Sequence, residues 1–278
     1  DCAGWLHEAG GALGVVVCAP QGYEQLCAQG ALRELAERLA ARGLPTLRFD
    51  YPGCGDSLGD DEGPARLEVW RASVAPAVAA LREATGVKSV ALVGLRLGGA
   101  LALQAATSID DIAAVALLAP VVSGRAYRRE IAAFAAMTGG EADAEGAISV
   151  AGFRSTADTL AALDRLDATQ IETAPPAIFL AAPAEQPGAD KLATRLAALG
   201  AEVTRAPFEG YAELLADPTF ARAPDALFDE LADWLAARAP DDARSRVAAS
   251  APASLRGPGF VDTPLMFDEG RLAGVLCA

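Results

Sequence analysis

Short apolar strands alternate with helical stretches along most of the chain, and this alternation limits the fold more than any other feature. Each apolar run is bounded by Gly or Pro, and apolar residues between the runs recur with the period of a helix. Continuously apolar strands joined by helices are typical of a parallel sheet with helices on both faces. Ligands then bind at the carboxyl ends of the strands, here the loops after Ala19, Asp50, Val93, Ala119 and Ala182. The predicted strands are 14–20, 45–50, 87–93, 112–120 and 177–182, and the predicted helices are 31–42, 67–85, 98–107 and 191–199.

The alternation stops between residues 121 and 173, where helical segments replace it. We interpret 121–173 as a helical cap over the pocket, inserted between two parts of one α/β core at 1–120 and 174–238. Residues 239–259 are rich in Ala, Pro, Ser and Arg, which is typical of a linker. The tail, 260–278, is strand-like around a turn, and its pattern is similar to that of the first strands. It is expected either to add a hairpin to a sheet edge or to pair with a second copy or a paralogue.

Charge and composition narrow the classes of partner. The chain has 37 acidic and 23 basic residues, and its net charge of -14 argues against nucleic acid and anionic membrane surfaces. No apolar run is long enough to span a bilayer, and the N-terminus lacks the pattern of an export signal. We therefore expect a cytoplasmic protein with a small-molecule ligand or a protein partner. The Ala-rich composition suggests a bacterial source.

Metal and histidine chemistry are limited by residue counts. The five cysteines are odd in number and scattered, which favours reduced thiols over disulfides or a metal site. His7 is the only histidine, and it lies in an early strand, away from the predicted pocket. No metal and no cofactor are predicted, and catalysis by a histidine base is not expected.

A strand runs directly into the turn Gly94-Leu95-Arg96-Leu97-Gly98-Gly99 and then into an Ala/Leu helix. This resembles the nucleophile elbow of α/β-hydrolases, Gly-x-Ser-x-Gly, in which glycines are needed because the turn is crowded. Arg96 stands at the position of the nucleophile. A second motif, Arg48-Phe49-Asp50-Tyr51-Pro52-Gly53-x-Gly55-Asp56-Ser57, resembles the turn after the fourth strand of that family.

The resemblance extends from about residue 14 to residue 238. It is strongest to the serine-aminopeptidase-like and exosortase-associated branch of the family. It implies an α/β-hydrolase fold, with a mostly parallel central sheet, helices on both faces and a helical cap after the sixth family strand.

The same resemblance indicates that the catalytic triad is degenerate. The segment that bears the family's histidine matches Gly210-Tyr211-x-x-Leu214-Leu215-x-Asp217-Pro218, and Thr219 follows it. The loop for the catalytic acid follows strand 177–182, and Glu185 is its only carboxylate. Arg96, Thr219 and Glu185 thus stand at or near the positions of nucleophile, base and acid. Ordinary serine hydrolysis is not expected, because each lost triad member costs several orders of magnitude in rate.

Arg96 is expected to project toward the pocket from the positive end of a helix. Either a carboxylate neutralises it, with Glu24 as the first candidate, or the pocket binds an anionic ligand there. Both can hold together. In relatives, the backbone of Leu97 and of the loop Gln21-Gly22-Tyr23 would supply the oxyanion donors.

Other side chains are candidates for the pocket wall. Cys54 lies in the Gly-rich turn, although no histidine stands near it in sequence to activate the thiol. Ser123 follows the fourth predicted strand. Arg125, Arg128 and Arg129 of the cap either meet an acidic substrate or form a solvated helix face.

Two functions remain open. The first is a diverged hydrolase that acts on an acyl-bearing small molecule, an ester, amide or thioester, through Arg96, backbone donors and water. The alternative is a non-catalytic pseudo-hydrolase that binds a ligand or works beside a catalytically complete paralogue. The non-catalytic alternative predicts that the Arg96 side chain forms an ion pair with an acidic side chain of the protein.

Overall fold

A seven-stranded sheet with helices on both faces organises the protein. The computed structural model describes residues 2–140, 142–186, 188–240, 254–257, 259–267 and 272–277. The strands are β1 (Gly4–His7), β2 (Leu13–Cys18), β3 (Thr46–Phe49), β4 (Ser89–Leu95), β5 (Ile112–Leu118), β6 (Ile148–Val150), β7 (Phe153–Ser155), β8 (Ala177–Ala182), β9 (Glu202–Pro207), β10 (Leu255–Gly257), β11 (Phe260–Phe267) and β12 (Leu272–Cys277). The helices are α1 (Gly22–Ala41), α2 (Arg66–Thr85), α3 (Leu97–Ala106), α4 (Gly124–Met137), α5 (Ala157–Arg165), α6 (Ala189–Ala198), α7 (Tyr211–Leu214) and α8 (Asp225–Ala236). None of the described helices is long and apolar enough to cross a membrane.

The central sheet has the order β1-β3-β2-β4-β5-β8-β9, and only β1 runs antiparallel to its neighbour. The predicted α/β class and mostly parallel sheet are therefore confirmed, as are the five predicted strands. Strand β9 was missed by sequence reasoning because it lies at the sheet edge, where most of its residues are exposed or half-buried and give no apolar run.

The core is divided by this sheet into two apolar layers. Along β2, Val16 and Cys18 pack into one layer, while Leu13, Val15 and Val17 pack into the other. Side chains of a strand alternate between the faces, so a strand covered on both sides reads as a continuous apolar run. The layer on one face is closed by α1 and α8, and the opposite layer is closed by α2, α3 and α6.

The elbow between β4 and α3 has the tight geometry that its glycines predict. Arg96 precedes α3 with φ 53° and ψ −119°, a conformation that is strained for a residue with a side chain. A Cβ atom on Gly98 would lie 2.2 Å from the carbonyl oxygen of Cys18. Glycine at this position lets α3 approach the end of β2.

The cap lies between β5 and β8, which corresponds to the predicted insertion point. It contains α4, the antiparallel hairpin β6–β7, α5 and a short 3-10 helix, Ala168–Gln170. The predicted helical cap is therefore present, and it also holds a hairpin that was not predicted. The two strands have three residues each and are joined at Ala151 and Gly152, both with positive φ, so they are too short to show a period in the sequence.

The tail forms a sheet of its own, β10-β11-β12, with antiparallel pairing. Among the described strands, these three pair with one another and not with an edge of the central sheet. The predicted linker, 239–259, lies largely outside the described residues, and its 255–257 stretch is β10. The predicted turn at 268–270 also lies outside them, and pairing of the tail across chains stays a prediction.

The elbow contact generates a stability prediction. Gly98→Ala should lower the free energy of unfolding by about 3 kcal/mol or more, because the added methyl overlaps the backbone at the end of β2. Gly30→Ala is the matched control, since Gly30 lies in the exposed part of α1 with nothing within 4 Å of the added carbon. That change should raise the stability by about 0.5–1 kcal/mol. Urea unfolding measures the free energy of unfolding of both variants. Equal values for the two would contradict the close contact at Gly98.

Candidate functional site

A cavity of about 470 Å³ lies between the cap and the start of α1. Its walls come from α1, the turn after β3, the first residues of α2 and the cap elements α4, β6 and β7. The loops directly after Val93, Ala119 and Ala182, which were predicted to line the pocket, contribute none of its lining residues. The lining residues are Gln21, Gly22, Tyr23, Glu24, Gln25, Cys27, Gly53, Cys54, Gly55, Asp61, Arg66, Trp70, Tyr127, Glu130, Ile131, Phe134, Val150, Phe153, Arg154, Ser155 and Leu215.

Arg96 lies beside this cavity without lining it. Only 6% of the residue is exposed. Its Nε donates to Glu24 Oε1 at 2.9 Å, and its Nη2 donates to Glu130 Oε2. Glu24 was the partner named for the ion-paired alternative, whereas Glu130 was missed. The guanidinium thus faces two carboxylates of the protein at the turn between β4 and α3.

Two tyrosines complete the surroundings of Arg96. The Cζ atom lies 5.1 Å from the ring centroid of Tyr127 and 5.9 Å from that of Tyr211, within the range of cation–π contacts. The hydroxyl of Tyr127 donates to Glu24 Oε2 at 2.8 Å. Arg96, its carboxylates and these rings fill the space above the elbow, which explains why the loops around Val93 and Ala182 do not reach the cavity.

The electrostatics of this cluster keep Arg96 charged and the two tyrosines neutral near neutral pH. Burial alone would lower the pKa of Arg96, but the carboxylate of Glu24, joined by Glu130, raises it above its usual value. Burial raises the pKa of Tyr211 to about 12, and it raises that of Tyr127 as well. No member of the cluster offers a neutral base or an ionised nucleophile near neutral pH.

Glu185 and Thr219, the residues predicted at or near the acid and base positions, do not contribute to the cavity. Both are exposed, and neither lines it. The backbone N–H of Thr219 donates to Asp217 Oδ1 at 2.9 Å, a local turn contact. From the loop after β9, it is Tyr211 that lies near Arg96.

His7 belongs to the edge strand β1, three strand spacings or ~14 Å from β4 in the sheet. Its Nε2 accepts a hydrogen bond from Arg48 Nε at 3.1 Å. Burial and the nearby Arg48 lower the pKa of His7. It acts as a neutral acceptor at the sheet edge.

The predicted oxyanion segment is divided between the cavity and the core. Gln21, Gly22 and Tyr23 line the cavity at the start of α1, and the ring of Tyr23 lies 5.5 Å from that of Phe134 in the cap. Leu97 is buried and does not line the cavity. Donors from the first turn of α1 therefore face the ligand space, while the elbow is covered.

Of the remaining predicted pocket residues, some line the cavity and others do not. Cys54 lines the cavity, but Ser123 and Arg125 do not. Ser123 caps α4 by accepting from the backbone N–H of Ala126, and Arg125 Nε donates to the carbonyl of Asp164. Both are contacts within the cap. Ser123 and Arg125 were therefore misplaced by sequence reasoning, because it could not show which side of α4 faces the cavity.

Sequence reasoning also missed Arg66, which lines the cavity beside Cys54. It begins α2 in a polar stretch, and no local pattern marks it as different from the other arginines. Its position against Trp70, with Cζ 4.5 Å from the ring centroid, exists only in the folded chain.

A mostly parallel sheet, a strand–elbow–helix turn and a cap inserted after β5 define an α/β-hydrolase fold. Three solved structures share it. GrgF, an α/β-hydrolase from Penicillium sp. sh18, has 19% identity and a TM-score of 0.61 over 84% of this chain and 93% of that chain. Est1E from Butyrivibrio proteoclasticus with bound ferulic acid has 13% identity and a TM-score of 0.57 over 85% and 95%. An esterase from Pyrococcus furiosus has 14% identity and a TM-score of 0.57 over 84% of each chain. At sequence identities of 13–19%, these similarities show that the fold is shared.

Residues 15–145 match the family model of the serine aminopeptidases, S33. Over those residues the chain is similar to the serine aminopeptidase family, and it shares the α/β-hydrolase fold with the solved structures. Comparison with curated protein sequences gave no match.

The two carboxylates of Arg96 should contribute unequally to stability. Glu24→Ala should lower the free energy of unfolding by about 3 kcal/mol, because it removes the more enclosed partner of a buried charge. Glu130→Ala should cost about 1 kcal/mol, since the Glu130 side chain is 54% exposed. The control is Glu37→Ala on α1, whose exposed pair with Arg33 is worth about 0.5 kcal/mol. Chemical denaturation measures all three, and a Glu24 effect no larger than the Glu37 effect would refute the buried pair.

Proposed function

We propose that this protein binds an acyl-bearing small molecule in the cavity under its cap and does not hydrolyse it as a serine hydrolase does. The observation that carries the proposal is the ion-paired Arg96 at the nucleophile position. Esterases share its fold, and Est1E is known with bound ferulic acid. These likenesses support an acyl-bearing molecule as the class of ligand.

The chemistry of Arg96 supports binding over catalysis. A guanidinium has five N–H donors and no basic lone pair, and here two carboxylates further favour its protonated form. It can neither attack an acyl carbon nor accept a proton from water. Because both carboxylates are engaged with it, neither is placed as a free general base.

Cys54 does not replace the missing nucleophile. It lines the cavity, but burial raises the pKa of its thiol above the usual value, and the opposing effect of Arg66 is smaller. The reactive species of cysteine is the thiolate. The only histidine, His7, lies at the sheet edge, so no imidazole base stands beside the thiol.

The cavity itself has the size and lining of a ligand site. Ligand pockets generally enclose ~300–1,000 Å³ and combine apolar walls with a few polar groups. Here the walls include Trp70, Phe134 and Phe153, and the polar groups include Gln21 and Ser155. An acyl chain or aromatic acyl group of modest size fits this combination.

The proposal predicts binding without turnover. Purified protein and the Arg96→Ala variant should both hydrolyse p-nitrophenyl butyrate and a butyryl thioester no faster than buffer. Turnover by the wild type that Arg96→Ala abolishes would instead support a diverged hydrolase working through Arg96.

Binding is measured with the neutral compound 4-phenylbutyramide by titration calorimetry or NMR. Ile131→Trp should weaken its binding by at least about tenfold, because Ile131 lines the cavity and the larger ring fills it. Met137→Trp is the matched control on the same helix, where Met137 is 82% exposed and outside the lining. Equal effects of the two substitutions, or no binding by the wild type, would contradict a ligand site under the cap.

A further inference from the structure

Arg66 differs from the other charged residues around the cavity because no carboxylate of the described residues pairs with it. Its Nη1 donates to the carbonyl oxygen of Arg154 at 3.4 Å, and its Nη2 lies 3.9 Å from Cys54 Sγ. Its Nε is buried and has no hydrogen-bond partner. Both of the contacts made by Nη1 and Nη2 are long, so the protein satisfies these groups only weakly. A ligand acceptor in the cavity would give them a stronger partner.

The other cations near the cavity are already neutralised. Arg154, which also lines it, forms ion pairs with Glu62, Asp143 and Glu145. Arg96 is held by two carboxylates beside the cavity. Within the part of the chain that the structure describes, Arg66 is thus the one lining cation without a carboxylate partner.

The guanidinium of Arg66 is held in a fixed position. Its Cζ atom lies 4.5 Å from the ring centroid of Trp70. That ring is itself fixed, because Trp70 is 1% exposed and its Nε1 donates to the carbonyl oxygen of Pro52 at 3.1 Å. A pre-positioned guanidinium loses little conformational entropy when it binds a planar anion through two N–H groups.

The location of Arg66 also favours an anion. It is the first residue of α2, a helix of 20 residues, and the preceding Ala65 supplies no side-chain cap. A cation at a helix N-terminus is repelled by the positive end of the helix dipole, whereas an anion there is attracted. Asp158 Oδ2 already accepts from the N–H of Ala65 at 3.0 Å and Glu68 lies in the first turn, so the helix end adds only a small attraction to that of Arg66.

We propose that Arg66 binds the carboxylate of a ligand whose apolar body lies along the aromatic wall of the cavity. This rests on the proposed function and names the class of its ligand, a small carboxylic acid with an apolar or aromatic body. A carboxylate fits better than a phosphate ester, because Glu24 and Glu130 also line the cavity and repel a dianion more strongly than a monoanion. The carboxylate binds at the Arg66 wall, and the apolar body packs against Phe134 and Phe153.

A pair of compounds that differ in one group tests this assignment. The titration compares 4-phenylbutyrate with 4-phenylbutyramide, which has a neutral amide in place of the carboxylate. Wild-type protein should bind the carboxylate about tenfold more tightly, as expected for a charge-assisted contact in a partly enclosed site. Arg66→Gln should abolish this preference, and Arg66→Lys should retain part of it because the charge remains.

Arg71→Gln is the matched control. Arg71 lies on the same helix, pairs with Glu68 and does not line the cavity, and its loss changes the net charge equally. It should leave the preference unchanged. A second variant, Asp61→Asn, removes an exposed lining carboxylate and should strengthen binding of the carboxylate up to about threefold while leaving the amide unaffected. Thermal unfolding of each variant confirms that it is folded at the temperature of the titration.

The outcomes separate this inference from the proposed function. Equal affinities for the two compounds, both lost in Ile131→Trp, would overturn the role of Arg66 and leave the cavity as a ligand site. A preference that survives Arg66→Gln in folded protein would likewise overturn it. Failure of the wild type to bind either compound would overturn both proposals. A preference lost in Arg66→Gln and kept in Arg71→Gln supports both.

Discussion

The ion pair of Arg96 with Glu24 and Glu130 connects three separate parts of the chain. Arg96 belongs to the elbow, Glu24 to the first turn of α1 and Glu130 to α4 of the cap. An unpaired guanidinium at this depth would carry a large desolvation penalty, so the fold requires both acidic partners near it. The start of α1 and the cap helix are thereby fixed against the elbow. The cavity consequently opens to one side of the elbow, toward α2.

The arginine in this strained turn also affects the residues that pack around it. In an enzyme with this fold, the elbow holds a reactive side chain in a strained turn so that it projects into the active site. Here the turn keeps its geometry, with Arg96 at φ 53°, but the projected side chain is neutralised by the protein itself. The strain is retained because the glycines, the close approach to β2 and the packing of α3 depend on the same turn. The geometry of the turn at this site therefore does not depend on a reactive side chain.

The elements that could be predicted are those marked by a pattern of residues close together in the sequence. Strands such as β2 and β4 are buried on both faces and read as apolar runs, and the elbow shows in its glycines because their spacing is short. Strand β9 and the hairpin β6–β7 give no such signal, because one is a half-exposed edge and the other has three residues per strand. Glu24 could be named as a partner of Arg96 from charge alone. Glu130, Tyr127 and Tyr211 could not, since the contacts arise from the position of the cap and of the loop after β9.

The distribution of charge around the cavity follows from the same buried pair. Glu24 and Glu130 line the elbow side of the cavity, whereas the α2 side carries Arg66, the lining cation without a carboxylate partner among the described residues, together with the exposed carboxylate of Asp61. The two walls share no charged contact, because Arg66 touches Cys54, Trp70 and the backbone of Arg154. The proposed carboxylate site therefore lies at the start of α2 and not at the elbow, where Glu24 and Glu130 would repel an anion. Because Arg96 is already paired within the protein, Arg66 is the cation left among the described lining residues to attract the ligand.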